Sequence, residues 1–169
     1  LIRMDLPDGI DRQLIIVESN SDDGTREVVT NYADPRITLV LQDGPRGNGN
    51  AVREGLRHVN GDVILIQDAD LEYRVEDYTK LLAPIIRGDA DFVLGSRHVR
   101  GKSIRTVGEG RLVSALLNGA HWVFATLFNL IYGTRLADPF TMYKVFRTEC
   151  IHGIEFVSDR FDFDIELAA

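Results

Sequence analysis

The sequence predicts an α/β protein built on a doubly wound, mostly parallel sheet, and three observations carry that expectation. Short apolar runs alternate with stretches of helical spacing along the chain. The third run, in "DVILIQD", is continuously apolar, as in a strand covered on both faces. Each of the first four runs ends in a polar cluster: "ESNSDDGT", "QDGPRGNGN", "QDADLE" and "GSRHVRGK". Ligands of open α/β sheets bind outside the carboxyl ends of the strands, so four such clusters in succession outline one binding edge.

The elements follow in order. "QLIIV" (13–17) predicts a buried strand, and "GTREVVTNYA" a helix opened by the cap-forming "SNSDD". After the turn-forming Asp34-Pro35 comes a second strand, "RITLVLQ" (36–42). "GNGNAVREGLRHV" reads as a helix with a glycine-rich entry, and "DVILIQD" as the third strand. "VEDYTKLLAPIIRG" is a helix closed by Gly88 and bent by Pro84. "DFVLGS" is the fourth strand, and a long apolar segment runs from Leu112 to Tyr132. A strand "MYKVFR", a short helix around "TECIHGI" and a closing helical "FDFDIEL" complete the chain. No internal repeat, linker or low-complexity segment interrupts it. The 169 residues suit a single domain over 1–169. Leu1 in the place of Met, and a closing "FDFDIELAA" that reads as the first turns of a helix, point to a domain truncated at both ends.

Composition narrows the function. The chain is 44% hydrophobic and 27% charged, with a net charge of −7. A nucleic-acid binder needs a basic face to neutralise phosphates, so the net charge argues against that class while leaving room for local basic patches. The single cysteine, Cys150, cannot form an internal disulfide, and "LIRMDLPDGIDRQ" lacks the apolar core of a secretory signal; a reducing, cytoplasmic setting follows.

The densest chemistry stands in "GDVILIQDADLEY" (61–73), where Asp68 and Asp70 lie two residues apart at a strand end. Carboxylates at i and i+2 of extended chain can share one side and repel unless a cation lies between them. Mg²⁺ is commonly held by one or two carboxylates plus substrate phosphates. A solvated loop with helix-capping aspartates is the plainer reading of a lone D-x-D. At the second strand end Arg46 supplies charge, while Gly47 and Gly49 allow close approach of backbone to an anion at a helix start. At the fourth, Arg97, Arg100, Lys102 and Arg105 form a basic cluster suited to a diphosphate or an anionic lipid surface, or simply to solvent.

"LVSALLNGAHWVFATLFNLIY" carries 21 residues without a formal charge, long enough to consider a transmembrane helix. Ser114, Asn118, His121 and Asn129 nevertheless fall on one helical stripe, which favours a helix covering a sheet or lying on a membrane surface. His121 and Trp122 read as packing or interface residues.

Taken together, "IIVESNSDDGT", "GNGNAVREGL", "ILIQDADLEY", "VLGSRHV", "DPFTMYKVFR" and "FDFDIEL" resemble, in order and spacing, the inverting glycosyltransferases of the GT-A fold. Within that family the likeness is to dolichol-phosphate mannose synthases and to bacterial polyprenyl-phosphate and polysaccharide sugar transferases. The resemblance implies a Rossmann-like nucleotide-diphospho-sugar transferase sandwich, here without its first strand. It implies metal-dependent transfer, with inversion, from a nucleotide-diphosphate sugar donor to a polyprenyl-phosphate or glycan hydroxyl acceptor in cell-envelope glycan synthesis. Asp68 would lie near ribose and metal, and Asp70 would ligate Mg²⁺ or Mn²⁺. Glu18, Ser19 and Asp23 would line the nucleotide pocket with Arg46, Gly47 and Arg111, the last standing in for an arginine that relatives carry where this chain has Ala115. Ser19 replaces the second acid usual in the family, and Met142 the glycine of "D-x-x-x-G-F-K". Arg97 would face the diphosphate, and Asp138 or Asp164 would be the general base for a hydroxyl acceptor; a phosphate acceptor needs none. The amphipathic helix implies peripheral contact with the inner face of the plasma membrane, and homo-oligomerisation stays open. Two other classes are compatible with the residues: a non-catalytic sugar-nucleotide-binding or scaffold domain, and a phosphohydrolase of the haloacid dehalogenase type, whose strand-end D-x-D is not usually followed by residues such as Leu71-Glu72.

Overall fold

The computed structural model of the protein describes residues 2, 6, 9–69, 75–96 and 111–169, except the side chains of 111–115 and 117. The β-branched runs form the strands and the spaced runs form the helices, as the sequence predicts. β1 (Leu14–Glu18) and β2 (Ile37–Leu41) pair in parallel, with Leu14 opposite Ile37 and Glu18 opposite Leu41. α1 (Thr25–Asn31) crosses between them. α2 (Asn48–Leu56) leads on to β3 (Val63–Ile66). A 3-10 turn at Val75–Asp77 opens α3 (Tyr78–Ile86), which contains Pro84 and stops before Gly88 at φ +73°. Then come β4 (Phe92–Leu94), the 22-residue α4 (Arg111–Tyr132), β5 (Lys144–Arg147) and α5 (Phe163–Ala168).

One strand runs against its neighbours. β5 lies between β3 and β4 and runs antiparallel to both. Ile66 at the end of β3 and Leu94 at the end of β4 both face Lys144 at the start of β5. The connection from α4 therefore re-enters the sheet at the carboxyl edge instead of crossing back to the opposite one. Apolar periodicity reveals a strand but not its direction, so the sequence pattern could not show this.

The period-two alternation of strands divides the β3-β5-β4 sheet into two faces. Val63, Leu65, Val93, Tyr143 and Val145 meet Tyr78, Leu82 and Ile85 on the α3 side. Ile64, Ile66, Phe92 and Phe146 meet Val52 and Leu56 of α2 and Phe163 and Leu167 of α5 on the other. Lys144, two residues before Phe146, belongs to this second face by the same alternation.

α2 also packs on the β1-β2 ladder. A Cβ at Gly55 would stand 3.3 Å from a methyl of Val17, so that glycine seats the helix on β1. At the other end of α2, a Cβ on Gly49 would lie 2.6 Å from both the Phe163 Cβ and the Ser158 carbonyl oxygen. Overpacked core positions typically cost about 1–3 kcal/mol. Gly49→Ala is expected to destabilise the protein by that amount in urea denaturation; an unchanged midpoint would show that the 158–163 segment yields without cost.

Candidate active site

The carboxyl edge begins at Glu18, which is buried at the end of β1. Its carboxylate accepts the backbone N–H groups of Asn20 (3.1 Å) and Ser21 (2.6 Å), and Arg26 stands 3.5 Å away. These bonds, the Ser21 N–H foremost, hold the carboxyl below its ordinary value of 4.5. The turn it clasps places Asn20 at φ +64° and lets Ser19 donate to the Gln42 side chain at 2.8 Å. Gln42, buried at the end of β2, donates in turn to Asn50 of α2 at 2.8 Å. Asp23 accepts the N–H of Thr25 at 3.0 Å and so satisfies a free donor at the start of α1; its carboxyl is lowered by that residue's hydrogen bonds.

At the start of α2, Gly47 takes φ +99°, a conformation suited to glycine. The close approach it permits is to the chain itself: the Asp159 carbonyl occupies the space a Cβ would fill, and the same oxygen accepts the Asn50 N–H at 3.0 Å. Arg53 binds the Asp159 carboxylate and the Phe156 carbonyl, and Glu166 accepts the N–H groups of Val157 and Ser158, which fixes the loop against α2. Arg46 is exposed beside this turn.

At the β3 end, Gln67 accepts the Tyr78 hydroxyl, whose titration burial pushes up to about 12, and half-buried Asp68 follows. At the end of β4, Gly95 donates to the Tyr143 carbonyl at 2.8 Å. Between these two ends the antiparallel β5 delivers Lys144, wholly buried, whose ammonium donates to the Asp164 carboxylate at 2.6 Å and to the Thr141 carbonyl. Asp138, six residues before Lys144, has a fully buried side chain, and His121 of α4 comes within 3.7 Å of its carboxylate. Asn48 at the start of α2 donates to the Met142 sulfur at 3.4 Å, so the helix entry adjoins the segment leading into β5.

α4 turns its polar stripe inward. Asn118, His121 and Asn129 are partly buried, with Ala125 and Phe128 buried between them. The apolar side faces out: Trp122 is 69% exposed and Leu130 79%, with Leu116, Phe124 and Ile131 similarly bare. Among the described residues, no helix is long and apolar enough to cross a membrane.

The pattern of Glycosyl transferase family 2 matches residues 4–152. The chain belongs to that family. Its fold class is accordingly GT-A, and the parallel β1-β2 pair, the β3-β5-β4 sheet and their helices are described parts of it. This family 2 domain is 30% identical over 156 residues to glycosyltransferase AglJ of Haloferax volcanii, covering 92% of the chain and 48% of the relative. It is 32% identical to the dolichyl-phosphate β-glucosyltransferase ALG5A of Trichomonas vaginalis, covering 66% and 38%. Its identity to the dolichol-phosphate mannosyltransferase of Pyrococcus furiosus is 26%, covering 87% and 41%. The chain thus spans less than half the length of each of these curated relatives.

Within the family 2 domain, Glu18, Ser19 and Asp23 sit together at the β1 end, and Asp164 meets the β5 start through Lys144, opposite the β3 end that leads to Asp68, while Asp138 lies in the segment before β5 against His121 of α4. Asp70 and Arg97 lie outside the described residues, and of Arg111 only the backbone is described, as the first residue of α4. Sequence reasoning missed Gln42, Lys144 and His121 as site-edge residues. A polar residue closing an apolar strand marked Gln42, and a lysine opening one marked Lys144; His121 lay on the stripe already noticed.

Two outcomes follow. Removing one partner of a buried ion pair typically costs about 3–5 kcal/mol, so Lys144→Ala should lower unfolding stability by that order, measured as the urea midpoint. Because the Glu18 carboxyl is lowered in the folded protein, its contribution is present above 4.5 and lost as pH falls through the folded value. Glu18→Gln is expected to reduce stability at neutral pH and to flatten its decline between about pH 5 and pH 3; an unaltered acid slope would contradict the clasp.

Proposed function

We propose that the protein transfers a sugar, with inversion, from a nucleotide-diphosphate donor to a polyprenyl-phosphate or glycan hydroxyl acceptor in cell-envelope glycan synthesis. The observation that carries this reading is the antiparallel entry of β5, which sets the Lys144–Asp164 pair opposite the strand end that leads to Asp68, in a chain of glycosyl transferase family 2. The names of two relatives, which specify dolichyl or dolichol phosphate, support an acceptor of the polyprenyl-phosphate class. So does the outward apolar face of α4, suited to peripheral contact with lipid at the inner face of a membrane.

Asp68 and Asp70 would hold Mg²⁺ or Mn²⁺, carboxylates being the hard oxygen donors such ions take together with substrate phosphates. A cation bound there would supply Lewis-acid stabilisation of the departing diphosphate. The protein's own part is positional. Ser19, Asp23, Arg46 and Arg111 would line the nucleotide pocket, with Glu18 and Gly47 shaping the turns that frame it, and Arg97 would donate hydrogen bonds to the diphosphate as charge builds on it. An acceptor hydroxyl oxygen bonds to the anomeric carbon as the bond to the diphosphate breaks, and its proton passes to a carboxylate. Asp138 or Asp164 would take that role, the latter only if its Lys144 ion pair opens.

With UDP-glucose or GDP-mannose, dolichyl phosphate and Mn²⁺, Asp70→Ala should slow donor turnover about a hundredfold to a thousandfold at an unchanged melting temperature. Full turnover in that variant refutes the metal assignment. Calorimetric titration with UDP or GDP in the presence of Mn²⁺ separates a domain that binds without turning over from one that does not bind at all.

A further inference from the structure

The segment between α4 and β5 is pinned to the inner stripe of α4 at two levels. At the lower level, the Asn129 side-chain oxygen accepts the Leu136 N–H (2.8 Å) and the Thr134 hydroxyl (2.7 Å), and its amide donates to the Leu136 carbonyl (2.9 Å). Two turns up the helix, the His121 Nε2 stands 3.7 Å from Asp138 Oδ1. The His121 ring meets Phe140 edge-on, at a centroid distance of 5.6 Å and 87°, and Phe140 meets Phe128 at 6.1 Å and 82°. A buried carboxylate needs charge or hydrogen-bond partners to stay ionised. A half-buried imidazole held in place by an aromatic edge is a partner with little freedom to lose.

We infer that His121 is a positioning residue for Asp138: its ring nitrogen, fixed between Phe140 and the helix, holds the buried carboxylate toward the acceptor side of the site. This rests on the reading of Asp138 as the acceptor-side base. The apolar helix thereby takes part in the chemistry through its inner face while its outer face is free to meet lipid.

The pair can be tested without turnover. NMR titration of the His121 ring in the full chain should show its midpoint about one unit or more lower in Asp138→Asn than in wild type, because the variant removes an opposite charge. An unshifted midpoint overturns the pairing. The positioning role is read from UDP or GDP release by hydrolysis of UDP-glucose or GDP-mannose with Mn²⁺, water being the hydroxyl acceptor. His121→Phe keeps the ring contact with Phe140 and loses the nitrogen; it should lower kcat about tenfold or more with the donor KM unchanged. His121→Gln, which restores a donor, should recover most of that loss, and His121→Phe should cost nothing further in an Asp138→Asn background. A slow Asp138→Asn beside a His121→Phe of wild-type rate overturns the positioning role and leaves Asp138 as base. An Asp138→Asn of wild-type rate overturns the base assignment and the positioning role with it.

Discussion

The buried contact between Lys144 and Asp164 governs how this domain is put together. An ammonium with no exposure must be matched by charge, and the carboxylate that matches it comes from a helix twenty residues further along the chain. The pair ties the first residue of β5 to the last helix at the point where β3 and β4 both end. Once that bond is fixed, β5 starts at the carboxyl edge, and Met142, two residues before it, meets Asn48 at the entry to α2. The same face of the sheet then accepts Phe163 and Leu167, so the apolar packing of α5 and its ionic contact are one arrangement. Buried ion pairs are often no more stabilising than a well-packed apolar substitute; what this one provides is a unique register for the edge.

The glycine-rich entry to α2 shows the same economy. Gly47 and Gly49 have the freedom expected of a phosphate-approaching turn, yet the described chain uses that freedom to bring the 158–163 loop against the helix start. The loop is then held from three directions, by Arg53, Glu166 and the Asn50 N–H. The entry to α2 thus joins both ladders and the C-terminal helix, and the rigidity of the strand edge depends on it.

Much of this was legible in the sequence. The apolar runs gave the strands within a residue or two, because β-branched stretches such as "VILI" and "LIIV" have few other uses in a soluble domain. The family was legible through six short motifs in register, and the polar stripe of α4 through its spacing. What stayed hidden was relational. The direction of β5 depends on where a long connection returns, not on the pattern "KVFR" itself. The partner of Lys144 lies twenty residues away, and the orientation of α4 reverses the usual rule, so that asparagine and histidine face inward. His121 read as packing because nothing local distinguishes a histidine beside an aromatic from one beside a carboxylate. At the β1 end, the hydrogen bonds by which Glu18 clasps its own turn depend on backbone geometry that the letters do not show.

The outward face of α4 holds the only tryptophan in the chain, Trp122, next to the residue that approaches Asp138. Ultraviolet emission from the protein, selectively excited at the indole, therefore comes from one patch of one helix. The molecule carries its own optical probe at the boundary between whatever covers that patch and the pair beneath it, with no label to introduce and no competing indole to subtract.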